Sequence, residues 1–149
     1  MVAKKERYGR KNRKGFYDYP EKGPKRLWPG LADLQAKKLD ADSIDVEELK
    51  QRLLGIQALE TARCFEEHVL TDVREADVGS ILGFGFAPFS GGTLSYIDMT
   101  GVRQFVEQCR KLEAKYGERF KPAQLLLDMA AKGESFYGRF ASGGHEKAA

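Results

Sequence analysis

From Asp45 onward the apolar residues recur every three to four positions, and nowhere do they alternate over a convincing strand-length run. That period admits helices and little else. Behind Asp45, the residues Val46, Leu49, Leu53 and Ile56 mark one stripe, and Leu54, Ala58, Ala62, Phe65 and Val69 mark a second beside it. Two adjoining stripes predict one helix of about 24 residues, roughly 36 Å long and buried on two sides. Asp45 with Glu48 three residues on has the spacing of a capping box.

Asp72 and Glu75 repeat that signature and open a shorter helix through Ala76, Val78, Ile81 and Leu82, with Gly83 as its stop. A helix follows from about Val102 to Tyr116, with Val102, Phe105, Val106, Cys109, Leu112 and Tyr116 inward and Gly117 ending it. Asp98, at the end of the apolar run SYID, is expected to cap it. Pro122 starts another helix, with Leu125, Leu126 and Met129 inward and Gly133 closing it. Pro29 opens a short one through Leu31, Leu34 and Gln35. The fold class is all-α: a basic, irregular arm over 1–28, a helical domain over 29–141 and a frayed end over 142–149.

Charge is unevenly placed. Residues 1–26 hold ten Lys and Arg against three acids, a net +7, and the remaining 123 residues carry a net −4. Tyr8, Phe16, Tyr17 and Tyr19 interleave with those cations. Cations with aromatic rings can grip a nucleic acid, but this composition is common in solvated tails. The expectation is an exposed arm whose rings, the Phe16–Tyr19 cluster foremost, dock onto the body, without nucleic acid as partner.

The remaining candidates fail on detail. Gly83, Gly85, Gly91 and Gly92 suggest a phosphate loop, yet Pro88 stands where a dinucleotide fingerprint needs glycine, and no strand precedes it. Phe84, Phe86 and Phe89 in that loop are expected to pack into the protein's own core or, failing that, to face a partner. Cys64 and His68 share a helix face at i, i+4, but with Cys109 and the tail residue His145 they fall short of a zinc set. Glu66, Glu67 and His68 are neighbours that point in different directions along a helix, so they make no acid–base dyad. No catalytic residue, no metal and no cofactor-binding residue is assigned. Two cysteines fit a reducing, cytoplasmic setting, and no apolar run is long enough to span a membrane. A length of 149 residues suits one domain with a tail, and a dinucleotide-binding domain plus a substrate domain would need more chain.

The stretch RLLGIQALETARCFEEHVLTDVREADVGSILGFGFAPFSGGTLSYID, from Arg52, resembles the C-terminal helical domain of 3-hydroxyacyl-CoA dehydrogenases. It is most similar to the last domain of the multifunctional fatty-acid β-oxidation proteins, which join enoyl-CoA hydratase and dehydrogenase activities. The segments GRKNRKGFYDYPEKGPKRLWPGL and KYGERFKPAQLLLDMAAKGESFYGRF resemble the linker between the tandem helical domains and the end of the second. The resemblance implies a fold like the C-terminal domain of 6-phosphogluconate dehydrogenase, and a parent reaction in which NAD oxidises 3-hydroxyacyl-CoA. It implies no catalytic residue here: the family's serine and its histidine–glutamate pair lie in a dinucleotide-binding domain with no counterpart in these residues. Gln51 takes the place of the family's asparagine before Arg-Leu-Leu. The role implied is that of a duplicated, non-catalytic copy, with NAD bound by the parent and not by this chain. Its partners would be the dinucleotide-binding and first helical domains, with self-association expected where they are missing. Phe84, Phe86, Phe89, Phe16 and Tyr17 are the interface candidates. A free-standing module for acyl-CoA, through the Gly83–Gly92 loop, or for an anionic polymer, through the arm, is the alternative. Arg13 and His68 each stand where the family has glycine, which argues against a tight turn at Arg13; Met99 and Thr100 also depart from the family's usual residues.

Overall fold

The computed structural model describes residues 2–34 and 40–140. It divides the chain into two units, Met1–Ile44 and Asp45–Ala149. Gln35, His145 and the end expected to fray lie outside the described residues.

The first unit is more ordered than its composition suggests. It contains α1 (Val2–Lys5), a 3-10 turn at Arg10–Asn12, an antiparallel ribbon of β1 (Tyr17–Asp18) with β2 (Arg26–Leu27), and a 3-10 helix over Pro29–Leu34. Tyr17 pairs with Leu27, and Asp18 with Arg26. The anchor is Arg7, not the Phe16–Tyr19 cluster. Its buried guanidinium donates to the Gly15 carbonyl and to Asp18, and lies 4.1 Å from the centre of the Trp28 ring. Trp28 in turn covers Gly30, leaving no room for a Cβ there. One arginine that bridges three segments replaces the aliphatic core that this stretch lacks.

The second unit is all-α. Its elements are α2 (Val46–Glu66), α3 (Val73–Phe84), α4 (Thr93–Thr100), α5 (Val102–Tyr116), α6 (Gln124–Lys132) and α7 (Phe136–Phe140). α2 runs along α4, α5 and α6. Asp45 caps it as expected, accepting from the Glu48 N–H at 2.9 Å. The box is not closed, because the Glu48 carboxylate turns to Lys115 and Tyr116 on α5.

Only one of the two stripes on α2 is buried. Ala58, Ala62 and Phe65 are inside, along with Gly55, whereas Val46 and Leu53 of the other stripe are 55% and 64% exposed; Val69, expected in the buried stripe, lies beyond α2 and is 70% exposed. The small residues of the buried stripe let neighbouring helices approach closely, and the other stays largely exposed, with Ile56 half-buried. α2 ends at Glu66, earlier than its periodicity suggests, because His68 takes a left-handed conformation (φ 58°).

α3 also departs from its predicted form. It continues through Gly83 and stops where Gly85 turns left-handed (φ 76°), with the Gly85 and Phe86 N–H groups bonded back to Ile81 and Ser80. Its inward face is Val73, Ala76, Asp77 and Ser80, while Val78 and Leu82 point outward. α4 is not predicted by the sequence pattern, in which SYID serves only to bring Asp98 before the next helix. α5 and α6 follow their predicted faces: Phe105, Cys109, Leu112, Leu126 and Met129 are all buried. Rings knit the ends together. Phe65 meets Phe136 and Phe140, and Tyr96 meets Phe86 and Phe105.

Candidate functional site

Gln51 is exposed on α2, at a groove of about 640 Å³ between α2 and α5. Glu48, Arg103, Glu107, Lys111 and Lys115 line the same groove, and the Gln108 side chain donates to the Gln51 carbonyl at 3.4 Å. The Lys115 ammonium, then the Tyr116 hydroxyl, hold the Glu48 carboxyl below its ordinary value. The Arg52 guanidinium stacks on the Tyr116 ring at 3.9 Å. These contacts clamp two helices; no nucleophile with a base and an orienting group is assembled here.

Elsewhere several acids are taken up by helix ends. Asp72 caps α3, accepting from the N–H groups of Arg74 and Glu75. The N-terminus of α4 has only Gly92 as its cap residue, and the cap comes from α3 instead. Buried Asp77 accepts from the N–H of Leu94 (2.7 Å) and of Ser95 (3.1 Å), from Ser95 Oγ (2.6 Å) and from the Tyr137 hydroxyl (2.9 Å). Glu66 on α2 accepts from Leu125 N–H at the start of α6. Asp98 does not cap α5 as expected; it accepts from Phe136 and Tyr137 N–H and so starts α7. With Asp45, five carboxylates serve five helix N-termini, three of them reaching from another helix. Their chemistry is to tie elements together.

Asp77, Ser95 and Tyr137 were not singled out from sequence. The signal was present: Asp77 sits among Val73, Ala76 and Ser80 at helical spacing, an acid inside the inward stripe.

Cys64 and His68 do not share a helix face, since the helix stops between them, and the Cys64 carbonyl accepts from the N–H of Val69 and Leu70 as the chain reverses. Among the described residues no group of three or more His, Cys, Asp and Glu is arranged to hold a metal ion. No helix among them is long and apolar enough to cross a membrane.

The phenylalanines of the Gly83–Gly92 loop separate. Phe86 is buried, brought under α3 by the Gly85 turn, but Phe84 and Phe89 are 60% and 70% exposed. The expectation that all three pack inward is corrected for those two. Leu82, 81% exposed, and Val78, one turn before it, extend the apolar surface along α3. Between Glu75 and Arg103 the only charged side chains are Asp77 and Asp98, and both are caps. The stretch thus brings no other charge to this surface, in a chain with 32% charged residues, while exposed Arg74 and Glu75 lie one turn before Val78. Phe16 and Tyr17 belong to the first unit. Phe16 is 64% exposed and Tyr17 half-buried, with the Lys25 ammonium 4.6 Å from its ring centre.

Compared with models of known protein families, the chain matches none.

Proposed function

We propose that this chain is a non-catalytic helical domain of the 3-hydroxyacyl-CoA dehydrogenase type, acting as an interface for the domains that carry the chemistry. The observation that carries the interface role is the set of exposed apolar side chains Val78, Leu82, Phe84 and Phe89, in a stretch whose only charges are two caps, which water alone would cover at a cost. The non-catalytic role is supported by Glu66, Asp77 and Asp98, each already holding the start of another helix.

Two further points support the family. Arg13 and His68, which stand where the resembled family has glycine, both have positive φ, at 60° and 58°. A tight turn does form at Arg13, against the expectation. A glycine would fit either position with less strain. The helical second unit also agrees with the all-α class that the resemblance implies. In this reading NAD and 3-hydroxyacyl-CoA are bound by the partner domains, with Gln51 replacing the family's asparagine at an exposed position.

The test is to mix the purified chain with a polypeptide comprising the dinucleotide-binding and first helical domains of such a dehydrogenase. Association is expected, and Leu82→Asp with Phe84→Asp should abolish it. NADH oxidation with acetoacetyl-CoA by the chain alone would overturn the non-catalytic assignment. The acyl-CoA module is not favoured, because Phe86 fills the space behind the Gly83–Gly92 loop.

A further inference from the structure

The basic arm was expected to be a solvated tail with its rings folded away. The structure has a closed loop with Tyr8 and Phe16 exposed and Tyr17 and Tyr19 half-buried. The Gly9 N–H donates to the Lys14 carbonyl at 2.7 Å, and the two residues form a bridge. Gly15 packs so near Gly9 that a Cβ on it would lie 3.0 Å from the Gly9 Cα, which narrows the neck further. Inside the loop Asn12 is a hub: its Oδ1 accepts from the Tyr8 and Lys14 N–H groups, and its Nδ2 donates to the Glu6 carbonyl.

Six residues, Gly9–Lys14, thus hold four exposed cations, Arg10, Lys11, Arg13 and Lys14. Among the described residues only Arg13 of these four is ion-paired, to Glu21. Tyr8 precedes the neck and Phe16 follows it, and they are 52% and 64% exposed. Arg13 is held left-handed at the loop's end, a conformation that glycine would adopt more easily.

We propose that this loop binds single-stranded nucleic acid, its cations on the phosphates and Tyr8 and Phe16 stacking on bases. The cations alone would suit any anionic surface. The exposed rings select a partner with free π-faces, which a single strand offers and a duplex hides within its stack. Closure by Asn12 and the glycine neck fixes the loop before binding, so little order is lost on contact.

The experiment measures fluorescence anisotropy of labelled dT20 and U20 with the full 149-residue chain across a salt series. Binding is expected, with log K falling against log salt at a slope of about −2 for three phosphate contacts. Phe16→Ala or Tyr8→Ala should weaken it about tenfold, and Phe16→Trp should restore it. Asn12→Ala should weaken it with the charge unchanged. Circular dichroism of each variant checks folding, since Tyr8 adjoins Arg7 and the Phe16 carbonyl accepts from the Trp28 N–H. No binding at low salt overturns the proposal. So does equal affinity for duplex DNA or for vesicles of anionic lipid, or indifference to both ring substitutions.

Discussion

Gly92 lies so close to Asp77 that a Cβ built on it would fall 2.5 Å from the aspartate Cγ, and its φ is 128°. The two residues define one joint. The chain must pass the carboxylate without a side chain so that the next N–H groups, of Leu94 and Ser95, can reach it. Ser80 supports the joint by donating to the Asp77 carbonyl and accepting from Thr93 N–H.

Gly92→Ala should therefore destabilise the protein by at least about 2 kcal/mol, through strain at positive φ and displacement of Asp77. Asp77→Asn keeps the volume but loses acceptors for charge-assisted bonds, at roughly 2–3 kcal/mol. Urea unfolding should show both as lower midpoints with unchanged slope. A wild-type midpoint in Asp77→Asn would mean that this carboxylate does not hold α4.

How much of this was legible in the sequence differs by element. α5 was readable because its apolar face is a clean stripe between Gly101 and Gly117, and the structure buries that face. α4 was not. Its residues Thr93, Leu94, Tyr96 and Ile97 are all buried, so no polar side reveals a period, and its cap comes from Asp77, 15 residues before Gly92. On α2 the pattern showed two apolar stripes but could not say which has a neighbour. The same limit applies to the phenylalanines: composition marks the loop as apolar, and only the Gly85 turn decides that Phe86 enters the core.

Glycine at the two left-handed positions should stabilise the fold. His68 follows α2 at φ 58° and Arg13 closes the Arg10–Asn12 turn at φ 60°. His68→Gly should add about 1 kcal/mol of stability, the cost of a side chain in that region. Arg13→Gly should add somewhat less to the first unit, since it also removes the exposed pair with Glu21, which contributes little. Thermal melts in low salt would check both. A fall in stability for His68→Gly would show that the imidazole makes contacts that outweigh the strain.

Acid should weaken the second unit through two helix-linked carboxylates. The Lys115 ammonium, then the Tyr116 hydroxyl, lower the Glu48 pKa from 4.5, and the Arg74 guanidinium, then the Glu75 N–H, lower that of Asp72 from 3.8. A carboxyl whose folded pKa is depressed favours folding above its unfolded value, and that contribution is lost as pH falls through the folded value. Stability should therefore be insensitive to these groups above about pH 5 and decline below 4.5, with Glu48 acting first. Glu48→Gln with Asp72→Asn should flatten the acid limb of a stability–pH curve by lowering its neutral plateau towards the acid value. An unchanged acid limb would assign that loss to other groups.

The two cysteines should react at different rates. Cys109 faces inward on α5, 1% exposed, and burial pushes its thiol up to about 12, so almost no thiolate forms at neutral pH. Cys64 is half-buried near the end of α2 and reachable from solvent. A disulfide-exchange reagent added to the native protein at pH 8 should titrate one thiol promptly, identified as Cys64 by its loss in Cys64→Ser. The second should appear only with denaturant, at a rate set by opening of the helical unit, because the barrier is exclusion from water together with the missing thiolate. Prompt reaction of both thiols in the native state would mean that α5 leaves the core far more often than its packing against α6 and α2 allows.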